Sequence, residues 1–166
     1  MNTYLPGIIA AVLIAISAVT PTQAQMFSVG NGLVNESAHA LDREKWDKGV
    51  GLARQALRSG GLTPTNIPAA LNNLCIGLTG QRLYAEALET CNKAINKKPR
   101  EWSFYNNRAN IHFYQEKYDR ALSDYYKALT FSPGDDVLIT NISLTLRTRK
   151  KAAERVGQEG NVERQS

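Results

Sequence analysis

Residues 84–99 read YAEALETCNKAINKKP and residues 118–133 read YDRALSDYYKALTFSP. Laid one over the other in a single register, they match at Tyr84 and Tyr118, Ala87 and Ala121, Leu88 and Leu122, Ala94 and Ala128, and Pro99 and Pro133. Cys91 faces Tyr125 and Ile95 faces Leu129 in the same register. Upstream, Leu71-Asn72-Asn73-Leu74-Cys75 is followed at the same interval by Tyr105-Asn106-Asn107-Arg108-Ala109. Leu71, Leu74, Cys75 and Leu78 follow the i, i+3, i+4, i+7 spacing of a buried helical stripe, as do Ala87, Leu88, Cys91, Ala94 and Ile95. Each copy is therefore a pair of helices with small residues at their closest approach, closed by a proline that cannot continue a helix.

This pattern resembles the tetratricopeptide repeat family, whose unit of about 34 residues opens its second helix on an aromatic and ends on a proline. The resemblance implies an all-α solenoid of antiparallel helix hairpins. The expected units are repeats at 67–100 and 101–134, a capping helix at 135–156 and a flexible tail at 157–166. A degenerate repeat is expected within 25–66, because Trp46, Gly49, Ala53, Ala56 and Leu57 resemble a second helix. The step from Gly49 to Ala87 is longer by four residues than the step from Ala87 to Ala121, and the excess falls in the loop Gly60–Thr65. The partner helix of that copy is expected within Val34–Glu44, where the apolar pattern is poor. Val137, Ile139, Ile142, Leu144 and Leu146 are the candidates for covering the last repeat, since a solenoid needs a cap.

Leu5–Val19 is a nearly unbroken apolar run, followed by Pro21 and by small and polar residues to Ala24. That order is a secretory signal peptide spanning 1–24, with a cut after Ala24. The run is shorter than the roughly 20 residues a membrane-spanning helix needs. Met1–Tyr4 lacks Lys and Arg, which leaves an uncleaved N-terminal anchor as the alternative. The expected setting is the cell envelope, most simply the periplasm, and the expected family member is an exported one of bacterial type.

Twenty basic and fifteen acidic residues leave a formal charge of +5, too small for a histone-like chain. Two histidines and two cysteines leave little from which to build a metal centre or a His-based triad. The sequence holds no Gly-x-Ser-x-Gly, His-Glu-x-x-His, phosphate loop or Cys-x-x-Cys. His39 lies in the weakest stretch, and His112 occupies a buried-face position that suits packing. The expectation is a non-catalytic chain with no cofactor and no metal.

Cys75 and Cys91 stand equally far from a turn centred near Leu83, so their sulfurs should meet across the hairpin. In an exported protein facing cysteines usually join, and buried free thiols are the alternative. Arg108 replaces Leu74 of the preceding copy while Asp124 replaces Thr90, an exchange that reads as a structural ion pair or as a ligand contact. Asn73, Asn107 and Asn141 recur at the repeat interval. The resemblance implies that they line a concave groove with Asn72, Ile76, Asn106, Asn110, Phe113, Tyr114 and Arg147, where asparagine amides can hold a peptide backbone. The alternative is a merely solvated helix face. Only Arg147 is placed to grip a terminal carboxylate. The basic run Arg147, Arg149, Lys150, Lys151 and Arg155 either complements a helix dipole or meets anionic lipid headgroups. The function expected is a protein-interaction module for a peptide or protein partner, with a membrane-associated scaffold as the alternative and nucleic acid excluded as a partner.

Overall fold

The computed structural model describes residues 21–163, a succession of seven helices: α1 (Pro21–Leu41), α2 (Trp46–Arg58), α3 (Ile67–Gly80), α4 (Tyr84–Lys97), α5 (Trp102–Tyr114), α6 (Tyr118–Phe131) and α7 (Asp136–Glu163). Most of the expected signal segment, residues 1–20, and the last three residues lie outside the described part. The helices pair as hairpins α1/α2, α3/α4 and α5/α6, each stacked on the next, with α7 against α6. The first helices of successive hairpins also touch, α1 against α3 and α3 against α5, so these helices form one face of an α-solenoid.

All three hairpins turn in the same way. Glu44, Arg82 and Glu116 adopt φ of 55°, 60° and 59°. The amide N–H after each of them donates back across the helix end, Lys45 to Ala40, Leu83 to Leu78 and Lys117 to His112, every one at 2.9 Å. This left-handed cap satisfies carbonyls that a helix terminus otherwise leaves unpaired. The links between hairpins have four residues after α4 and α6 and eight after α2, which locates the extra length of the first repeat.

The first helix differs from its expected extent, beginning well before Val34 and ending at Leu41. Among its described side-chain positions the buried ones are Gly30, Val34, Ser37, Ala40 and Leu41, mostly too small to register as an apolar stripe. They are small because backbones meet here: a Cβ on Gly30 would overlap the carbonyl of Gly61, and one on Gly61 the carbonyl of Met26. Ser37 is fully buried and donates to the Gly49 carbonyl at 2.8 Å.

The core runs along the stack. Leu78, Ile111 and Leu138 are completely enclosed, each contributing about 1.5–3 kcal/mol relative to exposure. The capping surface of α7 is Leu138, Ile142 and Thr145. Of the residues expected to cover the last repeat, only Ile142 does so, while Val137, Ile139, Leu144 and Leu146 are exposed. Neighbours on one stripe must be three or four residues apart, and the expected set mixes both flanks of the helix with its buried centre. Helical backbone continues to Glu163, past Gly157, where polar composition suggested a tail; an interior glycine costs a helix only about 1 kcal/mol.

Candidate binding groove

Two of the recurring asparagines, Asn107 and Asn141, join Asn72 and Asn106 in a hydrogen-bonded chain across α3, α5 and α7. Asn141 Nδ2 donates to Asn106 Oδ1 at 2.9 Å, Asn106 Nδ2 to Asn107 Oδ1 at 3.4 Å, and Asn107 Nδ2 to Asn72 Oδ1 at 2.8 Å. A chain of four amides thus ties α7 to α5 and α5 to α3. Asn73 is not part of it. That residue is 8% exposed and donates to the Val34 carbonyl of α1 at 2.9 Å, a structural contact that withdraws it from the groove. One helical step of about 100° separates Asn73 from Asn72, enough to carry one inward and leave the other at the surface.

Beside this chain lies a depression of about 510 Å³, lined by Trp46 of α2, Ile76, Thr79 and Gly80 of α3, Arg82 of the turn, Tyr84 of α4, and Asn107, Asn110 and Tyr114 of α5. Asn107, Asn110, Ile76 and Tyr114 were marked by the sequence, whereas Trp46, Thr79, Gly80, Arg82 and Tyr84 were not. Trp46 and Tyr84 did carry a signal, since each is the aromatic that opens a second helix, but that position reads as packing. Gly80 lets Trp46 in: a Cβ there would overlap the indole ring. Tyr114 is 59% exposed and its ring lies nearly parallel to that of Tyr84, inclined by 16° with centroids 6.5 Å apart. Asn110 accepts from the Tyr125 hydroxyl at 2.6 Å. Burial pushes the Tyr125 phenol up from its ordinary value, so it keeps its proton and donates. Arg147 is exposed on α7 and does not line the depression, and Asn141 is half-buried at the end of the amide chain.

The other marked residues sit behind this surface. Arg108 grips Asp124 with both ends of its guanidinium, Nε to Oδ2 at 2.8 Å and Nη2 to Oδ1 at 2.7 Å, and Nη1 donates to Asn92 at 2.6 Å. That bond to Asp124 raises the guanidinium pKa further. His112 takes the place of Leu78 in the preceding repeat, with Nε2 3.9 Å from Asp124 and a buried Nδ1 that has no partner among the described residues. The sulfurs of Cys75 and Cys91 are at bonding distance in the hairpin interior, with their Cα atoms 5.4 Å apart.

The family profile for the tetratricopeptide repeat matches residues 102–135, the α5/α6 hairpin and its linker. The chain carries a tetratricopeptide repeat. Its fold is similar to that of the first tetratricopeptide repeat domain of human RPAP3, with a TM-score of 0.65 at 18% identity over 75% of this chain and 98% of that one. It is also similar to the second such domain of human RPAP3, solved with the HSP70 peptide SGPTIEEVD, with a TM-score of 0.60 at 15% identity over 74% and 97% of the two chains. A DnaJ homolog subfamily C member 3 homolog from Dictyostelium discoideum is 26% identical over 112 residues, 68% of this chain. The chain spans 22% of that relative's length.

Proposed function

We propose that this tetratricopeptide-type solenoid is a non-catalytic adaptor that holds an extended segment of a protein partner against its inner face, in the cell envelope. The observation that carries the reading is the depression between α3 and α5, where aromatic rings and amide groups converge on one open surface. Domains of similar fold hold short peptides, as the human RPAP3 complex illustrates. An extended peptide leaves its backbone groups unpaired, and asparagine side chains are suited to pairing them. The exported setting is supported by the apolar leader and by the Cys75–Cys91 pair, because facing cysteines join where the compartment is oxidising.

A peptide array tests the adaptor role. The full chain should bind a subset of extended peptides, and Ile76→Arg, which fills the depression, should abolish that binding while leaving the helical melting transition in place. An array on which no binding depends on Ile76 rejects the groove as the binding surface. Intact mass of the protein recovered from the envelope should correspond to a chain beginning at Gln25, and full-length mass would reject removal of the leader.

A further inference from the structure

We propose that the groove selects a proline-rich segment in the polyproline II conformation. This rests on the reading above that the inner face holds an extended peptide, and it specifies the chemistry of that peptide.

The wall is defined by the hydrogen-bonding groups it has left to offer. The Tyr125 hydroxyl occupies Asn110 Oδ1 at 2.6 Å, while Asn110 Nδ2 has no acceptor among the described residues. Asn107 is arranged alike. Its Oδ1 receives Asn106, and one Nδ2 hydrogen goes to Asn72, which leaves a second hydrogen for a ligand. Thr79 spends its hydroxyl proton on the Cys75 carbonyl and keeps its oxygen as an acceptor at the rim. Arg82 adds further donors, and the lining contains no carboxylate. The two asparagine side chains of the wall thus have their oxygens engaged within the protein and turn N–H donors to the groove.

Such a wall suits a ligand rich in carbonyls and poor in N–H groups. Proline has no N–H, and a polyproline II chain makes no internal hydrogen bonds, so all its carbonyls are available. An ordinary extended peptide would bring one N–H per residue, which the two amide side chains and Arg82 cannot accept. The three rings of Trp46, Tyr84 and Tyr114 supply the complementary apolar surface. Aromatic-lined grooves take polyproline segments because the chain is already ordered before it binds. An acidic chain terminus fits less well, since Arg82 is the sole charged residue of the lining.

The test compares three nine-residue probes on the full chain by fluorescence anisotropy: a blocked proline-rich peptide, the same peptide with alanine for proline, and SGPTIEEVD with a free carboxylate. The proline-rich probe should bind at least tenfold more tightly than either of the others. Tyr114→Ala should weaken it at least tenfold, and Tyr114→Phe should not. Asn110→Asp, which exchanges the donor for an acceptor at the same size, should also weaken it at least tenfold. Equal affinity for the alanine probe, tightest binding of SGPTIEEVD, or an Asn110→Asp variant with unchanged affinity would each overturn the proline selection. In those cases the adaptor reading stands if binding still depends on Ile76. Failure of every probe, together with an array that shows no Ile76-dependent binding, would overturn both.

Discussion

Arg108 stands where the preceding hairpin carries Leu74, and the exchange replaces apolar packing in the third hairpin with a charged pair. The pair is largely enclosed, the Arg108 side chain being 25% and Asp124 10% exposed, so the cost of orphaning the carboxylate is the decisive quantity. Arg108→Leu should destabilise by about 2–3 kcal/mol, and adding Asp124→Thr should recover most of it, as a double-mutant cycle in urea would read. Additive losses would show that the pair is energetically uncoupled. His112 adds a pH dependence. Desolvation holds its imidazole below the ordinary value of 6.5, the charges of Arg108, Arg120 and Lys117 act in the same direction, and Asp124 opposes them. Its folded pKa therefore lies below its unfolded one. The stability gained by keeping it neutral is complete above about pH 6.5 and is lost as the pH falls through the folded value. Unfolding free energies measured from pH 7.5 down to 5 should decline in the parent and decline less in His112→Leu. The variant should also be more stable by about 1 kcal/mol at pH 7.5, because an unpaired buried nitrogen is removed.

At the scale of the element, the hairpin turns and the cap show which helical positions carry stability. Glu116 holds a left-handed conformation that costs a side-chain-bearing residue about 1–2 kcal/mol. Glu116→Gly should raise stability by about 0.5–1 kcal/mol, since glycine gives back part of the gain as unfolded-state entropy. A lower urea midpoint would mean that the Glu116 side chain contributes more than the turn strain. In α7, Leu138→Ala should cost about 2–4 kcal/mol, the range for emptying an enclosed site, while Leu144→Ala should cost under about 1 kcal/mol. Comparable losses for the two would place the capping face elsewhere on the helix. The asparagine chain belongs to this scale as well, because its hydrogen bonds run between helices and fix the spacing of α3, α5 and α7.

At the scale of the whole molecule, each hairpin among the described residues packs on its neighbours in the stack, so stability accumulates through the central α3/α4 unit. Cys75 and Cys91 lie at bonding distance within that unit, 16 residues apart in sequence, and a cross-link closing a loop of this length corresponds to about 3 kcal/mol in the chain-entropy account. Reduction should lower the thermal midpoint of the entire transition, because losing the central hairpin removes the contacts of both outer ones. A reduced protein with an unchanged midpoint, or two alkylatable thiols in the unreduced protein, would show that the cross-link does not hold the stack.

Features that depend on spacing along one chain were legible before any fold was known: the repeating two-helix unit, the longer loop before Ile67, and the opposition of Cys75 to Cys91 and of Arg108 to Asp124. They follow from helical period and turn position, which neighbouring residues set locally. Features that depend on the approach of a second element became visible only in three dimensions. Asn73 and Asn107 occupy the same place in the repeat, yet α1 covers Asn73 and nothing covers Asn107 in the same way. Leu138 and Leu144 are chemically alike, and only the position of α6 makes one core and the other surface. The groove was least legible, because Trp46, Tyr84 and Tyr114 come from three helices and meet only where Gly80 leaves room for the indole. A residue's face is a property of its own helix, but burial of that face is a property of the helix that packs on it.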